Sequence, residues 1–222
     1  SISKKMKDKF VAYRCENRIG FITLMRAEKR NALNPQLVEE LKFAFDTAEK
    51  DEKCKVVVLE AEGEVFCAGA DLKYLQSLQS FSHEENLADS NSLMELFKQI
   101  YTLKKVVIAN VQGHAIAGGC GLASVCDISI ASEDAKFGYS EVKIGFIPAI
   151  VSVFLLRKIG ESKTKELLLT GKTISATEAV SIGLINEAVT SNNLDEVVLE
   201  IAEKLCRQAS QQSLASTKKL IR

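Results

Sequence analysis

The stretch Phe66-Cys67-Ala68-Gly69-Ala70-Asp71-Leu72-Lys73 decides how this chain is read, together with Gly113-His114-Ala115-Ile116-Ala117-Gly118-Gly119-Cys120 about forty residues later. Each puts small residues where an extended run gives way to a helical one. Such a turn leaves backbone N–H groups without intrahelical partners and lets another group approach them closely. Two of these turns converging on one oxygen make an oxyanion hole, a set of donors aimed at developing negative charge.

Outward from these turns, strand and helix patterns alternate with no linker between them. Phe10 to Glu16 and Ile19 to Met25 are β-rich runs that flank Asn17-Arg18, a hairpin turn. Asn34 is placed to cap a helix that opens with Pro35 and carries Leu37, Leu41, Ala44, Phe45 and Ala48 at helical spacing. The short apolar runs Val56 to Leu59 and Val106 to Val111 have the composition of strands buried on both faces of a parallel sheet. Between them, a helix capped near Ser82 aligns Leu93, Leu96, Phe97 and Ile100. After the second glycine turn come a short helix through Leu122 and Val125, a strand from Asp127 to Ala131 and an extended piece around Phe137. From Ser152 the pattern is helical: Val153 to Ile159, Lys163 to Leu169, a Ser175-capped turn, Leu194 to Ala209 and Ser213 to Ile221. The last helix reaches Arg222 with no capping residue, Gly or Pro behind it, so the reading expects the helical part to be incomplete at its C-terminal end.

Bulk composition narrows the function classes. With 222 residues, 46% hydrophobic and 26% charged, the chain has the length and composition for one well-packed domain. Lys+Arg and Asp+Glu are 29 each, so there is no basic excess to draw it to nucleic acid or an anionic membrane. No apolar run approaches the ~20 residues of a membrane span, and Ser1 to Asp8 lacks the apolar core of a secretion signal, which together give a cytoplasmic expectation. Six scattered cysteines without a C-x-x-C pair read as reduced and structural. Only His83 and His114 are present, neither with a second ligand at metal spacing, so no metal site is expected. His114 reads as a packed or hydrogen-bonded histidine and His83 as surface.

The segments Lys29-Arg30-Asn31-Ala32-Leu33-Asn34, Phe66 to Lys73, Gly113 to Asp127 and Phe137 to Pro148, in this order and spacing, resemble the crotonase or enoyl-CoA hydratase/isomerase family. The resemblance runs from about Tyr13 to Arg222. It implies an α/β fold, a crotonase-type spiral of ββα units with a helical C-terminal part. The single domain, 1–222, then divides into a core of about 1–150 and a helical layer of about 151–222. It also implies an acyl-CoA thioester substrate, coenzyme A being part of the substrate rather than a cofactor, and a homotrimer or dimer of trimers.

Carried over residue by residue, the resemblance gives the thioester oxygen to the backbone N–H groups of Ala70 and Gly118. It places coenzyme A near the loop from Arg26 to Asn31 and near Lys29, Ala68, Asp71, Leu72 and Lys73. Read on its own, Asp71 is a helix cap, and both lysines have the character of solvated side chains. Many hydratases of the family use two glutamates, one shortly after the Gly-Gly pair and one in a Phe-Gly-x-x-Glu segment. Here the first position is Gly121 and the second is Glu141. Proton chemistry must therefore be run by Glu141 or by a group brought from elsewhere. The phrase from Ser140 to Ser152, with Gly121 before it, is similar to bacterial methylglutaconyl-CoA hydratase-like members that also lack the first glutamate. This favours a hydratase, with a Δ3,Δ2-enoyl-CoA isomerase or a decayed binding subunit as alternatives. The lining expected near Tyr74, Leu75, Leu93, Tyr101 and Ile147 is apolar in character, and loop geometry decides which of these side chains meet the acyl group. Ser124 has no matching His and Asp, which argues against a serine protease.

Overall fold

In the computed structural model, residues 9–144 and 149–222 are described. Residues 145–148 of the last motif, Ile147 among them, lie outside that set. Strands β1 (Val11–Glu16) and β2 (Ile19–Leu24) pair antiparallel around Asn17 and Arg18, whose φ angles of 50° and 70° are the left-handed pair of a two-residue type I′ hairpin. The side chain of Asn34 accepts the Leu37 N–H at 2.8 Å, and Pro35 opens α1 (Pro35–Lys50). Next come β3 (Val56–Ala61), α2 (Leu72–Leu78) and α3 (His83–Thr102), the last closed by a reciprocal capping box between Ser82 and Glu85. Strands β4 (Val106–Val111) and β5 (Ala115–Ile116), helix α4 (Gly118–Val125), and strands β6 (Ile128–Ser132) and β7 (Lys136–Gly138) complete the core.

The remaining elements are α5 (Ala149–Thr170), β8 (Thr173–Ser175), α6 (Ala176–Ser181), β9 (Glu187–Val189), α7 (Leu194–Gln208) and α8 (Gln211–Ile221). The two helical runs read before and after Gly160 belong to one long element broken at that residue (φ 77°, ψ 171°). The C-terminal part is not purely helical. β8 pairs antiparallel with β7, and β9 joins β6. Three-residue strands are too short to display alternation, so neighbouring backbone rather than side-chain pattern defines them.

The main sheet runs β1-β2-β3-β4-β6-β9, parallel from β2 onward, and a second sheet runs β5-β7-β8. Single bridges Leu33 to Ala70 and Cys67 to Ala115 extend the second layer backward along the chain. Each pass thus lays a strand in the main sheet, then a short extended piece in the second layer, before a helix follows. That is the spiral. All six residues of β4 are buried, as a strand covered on both faces requires. One side of the main sheet is packed by α7 through Leu194, Val198, Ala202 and Cys206, an apolar stripe at four-residue spacing. The larger core, containing Phe45, Phe66, Phe97, Phe137 and Tyr139, forms a separate cluster.

Candidate active site

The two small-residue turns meet in the second layer. The Leu33 N–H donates to the Gly69 carbonyl at 2.7 Å, and the Asp71 N–H donates to the Leu33 carbonyl at 2.9 Å. Successive residues of an extended chain point opposite ways, so the N–H of Ala70, between them, points away from Leu33. Gly69 makes this possible with φ of 89°, a conformation open to a residue without Cβ. On the other turn, Gly118 is the first residue of α4, where an N–H has no acceptor inside the helix. Among the described residues, neither the Ala70 nor the Gly118 N–H donates to a protein acceptor. Both residues line one cavity of about 360 Å³.

Two features hold the turns at this spacing. A Cβ on Gly119 would lie 2.2 Å from the Cys67 carbonyl oxygen, so only glycine lets α4 approach the first turn so closely. Ala117, the residue before α4, has φ 53° and ψ −123°, an unfavourable conformation for a residue with Cβ. Its N–H donates to the Gly138 carbonyl at 2.7 Å, which ties the strained residue to β7.

Glu141 follows β7 in a short 3-10 turn and lines the same cavity. It is half-buried, and its Oε2 is covered without a hydrogen-bond partner among the described residues. Burial raises its carboxyl above the usual range, opposed by its own backbone N–H. Behind it, the Tyr139 hydroxyl is fully buried and lies 3.0 Å from Ser124 Oγ, which in turn donates to the Gly121 carbonyl at 3.2 Å. This network fixes the backbone from which Ser140 and Glu141 emerge, and it commits Ser124 to structure.

The position of the absent first glutamate is closed. A Cβ on Gly121 would meet Val151 Cγ1 at 2.7 Å and the Phe97 ring at 3.0 Å. Phe97 and Val151 line the cavity and Gly121 does not, so two apolar side chains stand between Gly121 and the site.

The residues expected around coenzyme A divide into several roles. Asp71 caps α2, accepting from the Lys73 and Tyr74 N–H groups at 2.9 and 3.3 Å, and its other oxygen pairs with Arg26 at 2.7 Å. Burial opposes its ionisation, but the bonds from Arg26 and Tyr74 outweigh burial and hold the carboxyl below the usual range. Arg26, 8% exposed, also donates to the Ala32 carbonyl at 2.8 Å and stacks over Phe10. Asn31 (φ 52°) is fully buried, with side-chain bonds to Arg26 N, Glu62 O and Val65 O that rigidify the loop from Arg26 to Asn31. Ala68 donates to the Arg30 carbonyl at 3.0 Å and lines the cavity, as does Leu72, 76% exposed. Lys29 and Lys73 are both exposed, Lys29 ending a short 3-10 turn and Lys73 in the first turn of α2.

Of the expected apolar lining, Tyr74, Leu75 and Leu93 face the cavity. Tyr101 does not. It lies further along α3, tilted against Phe154 and under Arg157, in a different depression. His114 accepts the Lys136 N–H through Nδ1 at 3.0 Å and lies away from the cavity, and His83 is exposed at the start of α3. Asp127 precedes β6 rather than beginning it, because its carboxylate accepts the Val107 N–H and pairs with Lys218. Sequence reading passed over Asp89 and Ser90, which line the cavity from α3, since a polar helix face reads as solvated.

A model of the enoyl-CoA hydratase/isomerase family matches residues 14–222. A Thermus thermophilus relative assigned as an enoyl-CoA hydratase is 42% identical over 203 residues, 91% of this chain and 80% of its own length. The short-chain-enoyl-CoA hydratase of Clostridium acetobutylicum is 34% identical over 196 residues, 87% of this chain and 74% of its own. Among solved structures, a Legionella pneumophila chain assigned to the enoyl-CoA hydratase/isomerase (crotonase) group is similar with a TM-score of 0.92 at 39% identity, over 96% of this chain and 82% of that one. The fold is therefore the crotonase spiral, and the chain belongs to the enoyl-CoA hydratase/isomerase family.

Proposed function

We propose that the protein is an enoyl-CoA hydratase that uses the Ala70 and Gly118 N–H groups as oxyanion hole and Glu141 as its single proton-transfer group. The observation that carries this reading is a half-buried carboxylate with an unpartnered oxygen lining the same cavity as two unpaired backbone donors. The thioester carbonyl accepts from both N–H groups, which drains charge from the conjugated double bond and makes the β-carbon electrophilic. Glu141 takes a proton from water as its oxygen bonds to that carbon, and the electron pair moves to the thioester oxygen as an enolate. The same carboxyl then returns the proton to the α-carbon. Burial raises the Glu141 carboxyl, which favours its holding the proton between removal from water and return to carbon. One missing donor of an oxyanion hole costs ~10²–10³ in rate.

The closed Gly121 position favours a second reading, since moving a double bond needs only one carboxylate shuttling a proton between two carbons. Incubation with crotonyl-CoA, 3-methylglutaconyl-CoA and a 3-enoyl-CoA, following thioester absorbance and product mass, separates the two. Hydration of a 2-enoyl-CoA with a gain of one water supports the proposal. Isomerisation of the 3-enoyl-CoA with no hydration of any 2-enoyl thioester overturns it.

A further inference from the structure

The cavity that holds Ala70, Gly118 and Glu141 extends along α3. Phe97, Leu93 and Asp89 line it at four-residue intervals, and residues at that spacing share one helix face. From Phe97, packed at Gly121, to Asp89 is eight residues, or about 12 Å along the helix axis. Along α3 the wall is apolar at Phe97 and Leu93 and turns polar at Ser92, Ser90 and Asp89. Tyr74, from α2, lines the cavity there with its hydroxyl buried and without a hydrogen bond of ordinary geometry among the described residues. Burial, and next the neighbouring Asp89 carboxylate, push that phenol well above its ordinary value, so it is a neutral donor at working pH. Asp89 is half-buried and enters no salt bridge with a described residue. Among the described lining residues, the charged side chains are Glu141 and Asp89, and none is basic.

We propose that Asp89 and Tyr74 form a specificity-determining pair at the distal end of the acyl cavity, which rejects acyl chains ending in a carboxylate and accepts chains carrying a hydroxyl there. The inference rests on the reading above only in placing the thioester at the Ala70 and Gly118 end. A terminal carboxylate brought to Asp89 meets a like charge, with no cation on the described wall to pair it, and like-charge juxtaposition weakens binding. A terminal hydroxyl donates to the Asp89 carboxylate and accepts from the Tyr74 phenol, satisfying both.

The test is calorimetric binding of three saturated thioesters that share the coenzyme A moiety and acyl length: octanoyl-CoA, 8-hydroxyoctanoyl-CoA and suberoyl-CoA. The intact chain is expected to bind suberoyl-CoA at least about tenfold more weakly than octanoyl-CoA, and 8-hydroxyoctanoyl-CoA no more weakly than octanoyl-CoA. Asp89→Asn should close the suberoyl gap to within a few-fold, with butyryl-CoA, too short to reach the pair, unchanged. Tyr74→Phe should weaken only the hydroxylated ligand. Equal binding of suberoyl-CoA and octanoyl-CoA by the intact chain overturns the proposal, as does a gap that persists in folded Asp89→Asn. These thioesters do not react, so absence of turnover on crotonyl-CoA with the affinity pattern intact would remove the hydratase reading and leave the pair. Turnover on crotonyl-CoA without the pattern would do the reverse.

Discussion

Burial keeps the Glu141 carboxyl above its ordinary range, so the unfolded chain gives up that proton more readily than the folded one does. Between the unfolded value of roughly 4.3 and the raised folded value, the native state therefore binds more protons, and stability falls as pH rises. Glu141→Gln keeps the shape and removes this term. In denaturant titrations the variant should be more stable than its parent at pH 7, with the difference closing towards about pH 4. A variant no more stable at pH 7 contradicts the buried, unpartnered placement. Gly121 is the other residue whose environment decides an outcome. Val151 is β-branched and stiff, so a new methyl group at 2.7 Å from it cannot be absorbed cheaply. Overpacking of ~1–3 kcal/mol exceeds the ~1 kcal/mol gained when Ala replaces Gly in a helix, so Gly121→Ala should lose about 1 kcal/mol. Gly121→Glu should lose several times that without restoring a second acid, because it drives a carboxylate into Phe97 and Val151. A Gly121→Glu protein of parental stability and higher hydration rate would refute the closed position.

At the level of elements, α2 hangs on one carboxylate. Asp71 caps its first turn and neutralises Arg26, with both side chains about one-tenth exposed. Removing one partner of a buried pair costs ~3–5 kcal/mol, and losing a cap about 1 more. Asp71→Ala should therefore unfold at markedly lower denaturant, while Asp71→Asn, which keeps an acceptor for the cap, should lose less. The result that contradicts this is a fall in coenzyme A affinity with unchanged stability, which would make Asp71 a ligand contact first. The cap was legible in sequence because a cap and its helix are neighbours. Arg26 was not, since it comes from 45 positions away and a buried arginine has no local signature. The same contrast separates Asn34 and Ser82, read as caps and found as caps, from β8 and β9, whose three residues each make sense only beside β7 and β6.

Across the whole molecule, Lys218 joins the last helix to the core. Its Nζ is 2.7 Å from Asp127 and also donates to the Ile100 and Lys105 carbonyls at 3.2 and 3.1 Å. Burial lifts the Asp127 carboxyl, and Lys218 is the first of the groups that pull it back. Lys218→Met leaves that largely buried carboxylate bonded to the Val107 N–H but without its paired cation, so it should cost ~1–3 kcal/mol and loosen α8, measurable as faster amide exchange in α8 and β4. Unchanged exchange would show that α8 does not depend on the pair. The alternation of strands and helices was readable from local pattern, and the spiral only through the family resemblance that the ordered motifs carry. What filled the space at Gly121 was not, since Phe97 and Val151 reach it from α3 and α5.

The central claim is that one carboxylate moves the proton. The turnover number of Glu141→Gln on the best enoyl-CoA substrate, measured with coenzyme A affinity held as control, addresses it most directly. The account predicts a fall of ~10²–10⁴ in kcat with affinity nearly unchanged, since size and hydrogen bonding survive and proton transfer does not. A folded Glu141→Gln protein whose kcat stays within a few-fold of its parent would contradict it and put the acid/base group elsewhere.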